Sequence, residues 1–374
     1  MGWMTLASLV AVLAVFTFGM VVVFPGSIKL RLAQRLSMTD TRIGRLIMAW
    51  QVTTMLVTLL VGPLLDRFGH RLLLAAGFLI VAAAIGLFAG ARSAPAALVA
   101  AIVLGLGGSC VNAGGNTLLP ALNQDNPAAA SNLGNVFFGL GAFVVPFLAS
   151  FLFDRIGFPR TLAVFSAAAA LPAIPAAAAS YPRISSGFEF AVALGLLANP
   201  AVLLAGLALF CYIGLEVSAA SWTTTRLKDA GFEEKRAALV FSLFWVAMMV
   251  SRLAASQWVT TAIGQAAIQA CALASALALL LMTFRTARWV ASAAVIFLGL
   301  VFAPLFPTIA GVTFARFNPS LYGSVFAIIF SLGLLGSSIV PAAIGAVSEK
   351  YSIRAGYRIM VVGALALFLL AFGL

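Results

Sequence analysis

The sequence predicts an all-α membrane protein, with twelve transmembrane helices in two pseudo-symmetric six-helix halves built from inverted three-helix repeats. Three observations carry this expectation. The composition is too apolar for a water-soluble chain, apolar runs alternate regularly with short polar breaks, and an acid–base motif recurs after matching runs.

Of the 374 residues, 63% are hydrophobic and only 9% are charged, and the mean hydropathy is +1.13. Soluble domains run near 45–50% apolar and about 25% charged, so these values belong to a lipid-embedded chain. Each crossing takes roughly 20 apolar residues. About twelve crossings with their loops use the whole length and leave no room for a soluble domain. The opening Met1–Leu9 lacks a basic stretch and runs into more apolar sequence up to Gly26, so no cleavable signal peptide is expected. Cys110, Cys211 and Cys271 all sit inside apolar stretches and read as small core residues rather than disulfide partners or metal ligands. The net charge of +12 is scattered one or two residues per loop. No loop offers the dense basic stripe that nucleic acid requires. We expect no nucleic-acid partner, no metal and no cofactor.

The apolar runs place spans at 4–29, 43–63, 71–91, 95–121, 131–153, 160–181, 199–223, 237–256, 259–283, 288–313, 323–347 and 358–374, the last one short. The longest polar break near the middle holds Arg183, Ser185, Ser186, Gly187 and Glu189. This divides the chain into an N-terminal half (1–181), a linker (182–198) and a C-terminal half (199–374). Within the linker, Phe188–Leu197 is apolar enough to lie along the membrane interface.

The repeat supports the division. Gly62-Pro-Leu-Leu-Asp66-Arg67-Phe-Gly69-His70-Arg71 closes the second span, and Ser150-Phe-Leu-Phe-Asp154-Arg155-Ile-Gly157 closes the fifth. Glu349-Lys350 closes the eleventh, whereas only Ser251-Arg252 marks the place after the eighth. Units three helices apart lie in opposite orientations, so this recurrence is the mark of inverted repeats.

The segment Gly62–Arg71 resembles the loop motif G-x-L-x-D-R-x-G-x-[RK] of the major facilitator superfamily. Other segments are similar to one branch, the fucose permease family. These are Gly105-Leu-Gly, Asn112-Ala-Gly-Gly-Asn116-Thr, Ser131-Asn132-Leu-Gly-Asn135, Tyr212-Ile-Gly-Leu-Glu216, Trp222, Phe244-Trp245 and Ala303-Pro304-Leu-Phe-Pro307-Thr308. The resemblance implies a multi-pass carrier of the cell inner membrane, working as a monomer by alternating access around one site near the midplane. It also implies a small-molecule substrate, with a coupling proton or other ion as a further partner. Members of that branch move neutral sugars, often with a proton. The branch's titrating carboxylates fall at Asn112 and near Gly26 here, and neither position is acidic.

Glu216 is the one acid well inside a span, where an unpaired carboxylate costs several kcal/mol, so it is the foremost candidate for substrate or proton binding. Helix packing through a bonded carboxyl is the plainer alternative. Asn112 and Asn116 share a helix face, and Asn135 follows on the next span. Their amides supply donors and acceptors suited to hydroxyl groups, although interhelical bonding is a common use of such residues. Gln51, Tyr212 and Trp222 complete the candidate substrate set. For Trp222 anchoring at the interface is at least as natural a role. The resemblance assigns Gly62, Asp66, Arg67, Gly69 and Arg71 to a gate, in which an aspartate sits against a helix N-terminus and a basic partner.

The topology implied by the resemblance puts only Arg67, Arg71, Arg183, Arg252 and Arg316 on the cytoplasmic side and the other Lys and Arg residues outside. This runs against the positive-inside rule. A basic outer surface attracts anions, and Lys29 and Arg31 stand at its edge. The leading expectation is a carrier of a sugar or polyol, followed by a small organic-anion carrier or exchanger. An exporter of amphipathic compounds, suggested by the 30 phenylalanines, comes third. A transporter-like sensor that moves nothing fits poorly with such short loops. No nucleophile–base pair or phosphate loop suggests an enzyme.

Overall fold

The computed structural model describes residues 5–182 and 190–374. Among the described residues, twelve helices are long and apolar enough to cross a membrane. They are α1 (Leu6–Leu36), α2 (Thr41–Phe68), α3 (His70–Gly90), α4 (Ala94–Leu122), α5 (Pro127–Ile156) and α6 (Phe158–Ala178). After the linker come α7 (Pro200–Asp229), α8 (Glu234–Trp258), α9 (Thr261–Leu281), α10 (Arg288–Phe314), α11 (Pro319–Lys350) and α12 (Ile353–Gly373). Most of the linker's polar residues, Arg183 to Glu189, lie outside the described residues. From Phe190 the chain forms a short helix, Phe190–Gly195, and a 3-10 turn, Leu196–Ala198.

Four of the spans start where a side chain serves the orphan N–H groups of the first turn. Thr5 accepts from the Ser8 N–H, Thr39 from Arg42, Asn199 from Ala201 and Val202, and Ser352 from Ala355. Prolines interrupt two spans. α6 breaks after Ala170 and α10 breaks at Ala303-Pro304, because proline has no N–H to continue the ladder.

Two compact units share the chain. The first comprises Met1–Leu122, Gly134–Ala193 and Pro319–Ala327, the second Asn123–Leu133, Leu194–Asn318 and Ile328–Leu374. In the first unit α1 and α5 cross backbone against backbone. A Cβ on Gly19 would overlap the Phe138 carbonyl, and one on Gly141 the Phe16 carbonyl. The second unit repeats this between α7 and α11, where a Cβ on Gly336 would overlap the Phe210 carbonyl. Lipid supplies no hydrophobic drive between helices, so close approach through small residues holds such crossings.

The acid–base repeat has a structural counterpart. Gly69 (φ 77°, ψ 175°) and Gly157 (φ 76°, ψ 169°) adopt nearly the same backbone conformation at the turns joining α2 to α3 and α5 to α6. Only glycine occupies that region at little cost. At the third copy Ser352 instead caps α12 through its side chain. That cap starts α12 at Ile353, so the last span is 21 residues long rather than short.

Candidate functional site

In the second unit, α7 carries Tyr212 and Glu216 on one face, one turn apart. Arg252 of α8 sits opposite, 3% exposed at its side chain, with one guanidinium nitrogen 3.5 Å from a Glu216 oxygen. Its Nε donates to the Ala303 carbonyl at 3.3 Å. That carbonyl needs a donor because the residue four positions on, Pro307, has no N–H. The break in α10 thus holds Arg252, and Arg252 faces Glu216. The Tyr212 phenol is fully buried, and its oxygen has no hydrogen-bond partner among the described residues. Phe302 and Phe306 pack against its ring at 6.1 and 6.5 Å. Trp222, further along α7, donates from Nε1 to the Pro341 carbonyl at 3.1 Å.

In the first unit the amides form a chain. Asn135 Nδ2 donates to Asn116 Oδ1 at 3.4 Å, and Asn116 Nδ2 donates to Asn112 Oδ1 at 2.8 Å. Asn112 is 1% exposed, and its Nδ2 has no acceptor among the described residues. Each amide passes its donor to the next, so the row ends on a buried N–H pair able to bind an acceptor oxygen. Gln51 is exposed on α2. Asn132 lies in the second unit and donates to Thr308 Oγ1 at 3.0 Å.

Also within the first unit, Asp66 is 7% exposed near the end of α2 and meets the first turn of the α-helical run Tyr322–Lys350, which follows the 3-10 turn Pro319–Leu321 in α11. Its Oδ1 accepts from the Gly323 N–H at 2.8 Å, and its Oδ2 from the Ser324 N–H at 2.7 Å and the Ser324 hydroxyl. First-turn N–H groups and the helix dipole both favour an anion there. The ion pairs found among the described residues do not include Asp66. Gly62 makes the approach possible, since a Cβ there would overlap the Gly323 carbonyl. Arg67 lies over the Phe68 ring at 5.2 Å, and Arg71 donates to the Ala179 carbonyl at 3.0 Å. His70 bonds Thr117 at 3.1 Å and stacks on Tyr181. Burial pushes the Tyr181 phenol up to about 12, against the opposing pull of Arg71, so it is neutral at physiological pH.

The model of the Major Facilitator Superfamily matches residues 7–341. The chain belongs to the major facilitator superfamily. It is thus a multi-pass membrane protein of a family of transporters rather than enzymes. Solved structures of this superfamily fit closely. The fucose:proton symporter FucP superposes with a TM-score of 0.84 in its outward conformation, at 18% identity and with 97% of each chain covered. The E. coli FucP structure gives 0.83, also at 18% identity, with 99% of each chain covered. The human organic anion transporter MFSD10 gives 0.76 at 19% identity with 98% of each chain covered. The proton:xylose symporter XylE gives 0.75 at 14% identity, covering 98% of this chain and 95% of that one. At these identities the likeness is one of fold. No curated protein sequence matches the chain.

Sequence reasoning missed Arg252. It read Ser251-Arg252 as the remnant of a loop motif, whereas α8 continues to Trp258 and buries the guanidinium. A signal was present, because Arg252 is the one charge in the apolar run Ala237–Val259.

Proposed function

We propose that the chain is a secondary transporter that moves a small polar solute, a sugar or polyol foremost, across the cell inner membrane by alternating access. The observation that carries this reading is the amide row of the first unit. Three asparagines hold one another in order, and the buried donor of Asn112 is left over. An unpaired buried polar group costs roughly 1–3 kcal/mol, a cost that a bound hydroxyl or carbonyl oxygen would remove. The fold of the sugar:proton symporters FucP and XylE supports the same class of solute. We assign substrate contact to Asn112, Asn116, Asn135, Glu216 and Tyr212. Gating belongs to Gly62, Asp66, Arg67, Gly69 and Arg71. Trp222 is engaged in holding α11, and Gln51 gains no support from its neighbours.

A second reading, a small organic-anion carrier, is favoured by one observation, the buried cation Arg252 inside α8. The fold shared with an organic anion transporter is compatible with it. A thermal-shift screen of the purified protein against sugars, polyols, organic acids and hydrophobic amines tests both. Stabilisation by sugars or polyols supports the first reading, by organic acids alone the second. Stabilisation by amines alone overturns both.

A further inference from the structure

Of the twelve spans, α5 is the least buried, and one ridge of it is aromatic. Phe143, Phe147 and Phe151 follow one another at four-residue steps, each about half exposed. Side chains at that spacing are neighbours on a helix surface, and these rings touch. Phe143 and Phe147 stack with centroids 5.5 Å apart, and Phe147 meets Phe151 edge-on at 5.2 Å. The next step along the same ridge is Arg155, exposed in the last turn of α5. At 1.5 Å per residue, the run from Phe143 to Arg155 is about 18 Å long. Half of the hydrocarbon core of a bilayer is about 15 Å thick.

Cations gather where the ladder ends. Arg155 and Arg160 flank the Gly157 turn that joins α5 to α6, and both are exposed. Arg35, from the end of α1, lies over Phe158 at 5.5 Å. The acid of this turn, Asp154, is paired with Arg31. The ion pairs found among the described residues include none of Arg35, Arg155 and Arg160. Three arginines without a carboxylate therefore stand at the end of an exposed aromatic track about one leaflet long.

We propose that this face of α5 is the binding site of one anionic phospholipid, its acyl chain laid along Phe143, Phe147 and Phe151 and its phosphate held by Arg155 and Arg160. The site goes beyond the transport reading above and does not depend on which solute is carried. An amphiphile is the ligand that uses both parts of the surface. The stacked rings give a chain an ordered, ridged track, and guanidinium groups take phosphate oxygens in pairs. Each cation near an anionic lipid surface adds to the attraction. A soluble anion would use the arginines and leave the rings idle. A zwitterionic lipid would use the rings but bring a cation of its own to the arginines.

The test is native mass spectrometry of the purified protein in detergent, titrated with phosphatidylglycerol and separately with phosphatidylcholine of the same acyl chains. The parent should bind one phosphatidylglycerol more tightly than phosphatidylcholine, by roughly five-fold for each cation engaged. The double substitution Arg155→Gln and Arg160→Gln should abolish that preference and leave the weaker phosphatidylcholine binding in place. Phe147→Ala removes the middle ring and should weaken both lipids. The double substitution Arg42→Gln and Arg45→Gln removes two exposed cations from the start of α2 and should change nothing. The comparison of the two lipids in the parent stands even where a variant fails to fold. Equal binding of both lipids by the parent overturns the inference. Equal loss in the two arginine double variants also overturns it, since the attraction would then belong to diffuse charge. Inorganic phosphate that competes with phosphatidylglycerol at equal concentration would mark a site for soluble anions and overturn the lipid assignment.

Discussion

Asp66 and Ser324 are joined twice. The Ser324 N–H and the Ser324 hydroxyl both point to Oδ2 of Asp66, near the start of α11. The aspartate lies about 260 residues earlier in the chain. It reaches the N–H groups at the start of the α-helical run Tyr322–Lys350 from another helix. A carboxylate there satisfies two backbone donors and complements the helix dipole.

Asp66→Asn replaces one acceptor oxygen with a donor facing the Ser324 N–H or the Gly323 N–H. The lost charged hydrogen bond is worth about 1.5–3 kcal/mol. Transport should fall well below that of the parent while equilibrium binding of solute stays within a few-fold, because the contact involves none of the residues assigned to the solute. Uptake and binding measured on the same preparation check this. Equal loss of both would remove Asp66 from gating.

Gly62→Val acts on the same contact by sterics. A side chain at Gly62 meets the Gly323 carbonyl and the Ala327 methyl, so α2 and α11 cannot keep their approach. Overpacking of this kind costs about 1–3 kcal/mol. The melting temperature in detergent should fall, and activity should fall with it. A variant that melts like the parent would show that the contact yields easily.

Asn116 occupies the middle of the amide row, where it is acceptor to Asn135 and donor to Asn112. Asn116→Ala should weaken solute binding about ten-fold, since two partners lose their order. Asn116→Asp should do at least as much harm, because it sets an oxygen against Asn112 Oδ1. Titration of solute into each variant measures the effect, and parent-like affinity in Asn116→Asp would reduce the row to helix packing.

Much of the fold is legible in the sequence, because a lipid-embedded helix must satisfy its backbone internally and show an apolar run long enough to cross. The motif glycines were readable too, since Gly69 and Gly157 need a backbone conformation closed to other residues. The end of α1 was not. Lys29, Arg31 and Arg35 look like loop, yet the helix runs through them to Leu36. Arg31 pairs with Asp154, and Arg35 lies over Phe158. The Glu216–Arg252 pair was only half legible. Hydropathy flags each charge, but nothing in the sequence pairs residues on α7 and α8 that are 36 positions apart. The partner of Asp66 was hidden for the same reason, because Ser324 carries no motif.

The central claim is that Glu216 lies on the solute's path and takes part in coupling, so transport by Glu216→Gln across a range of pH tests it most directly. The substitution keeps shape and one acceptor while removing charge and titration. Reconstituted in proteoliposomes with the solute identified by the thermal-shift screen, the parent should accumulate solute when a pH gradient is imposed. Glu216→Gln should fold and bind solute but fail to accumulate it, and any remaining exchange should be independent of pH. Accumulation by Glu216→Gln equal to that of the parent at every pH would make Glu216 a packing residue and contradict the account.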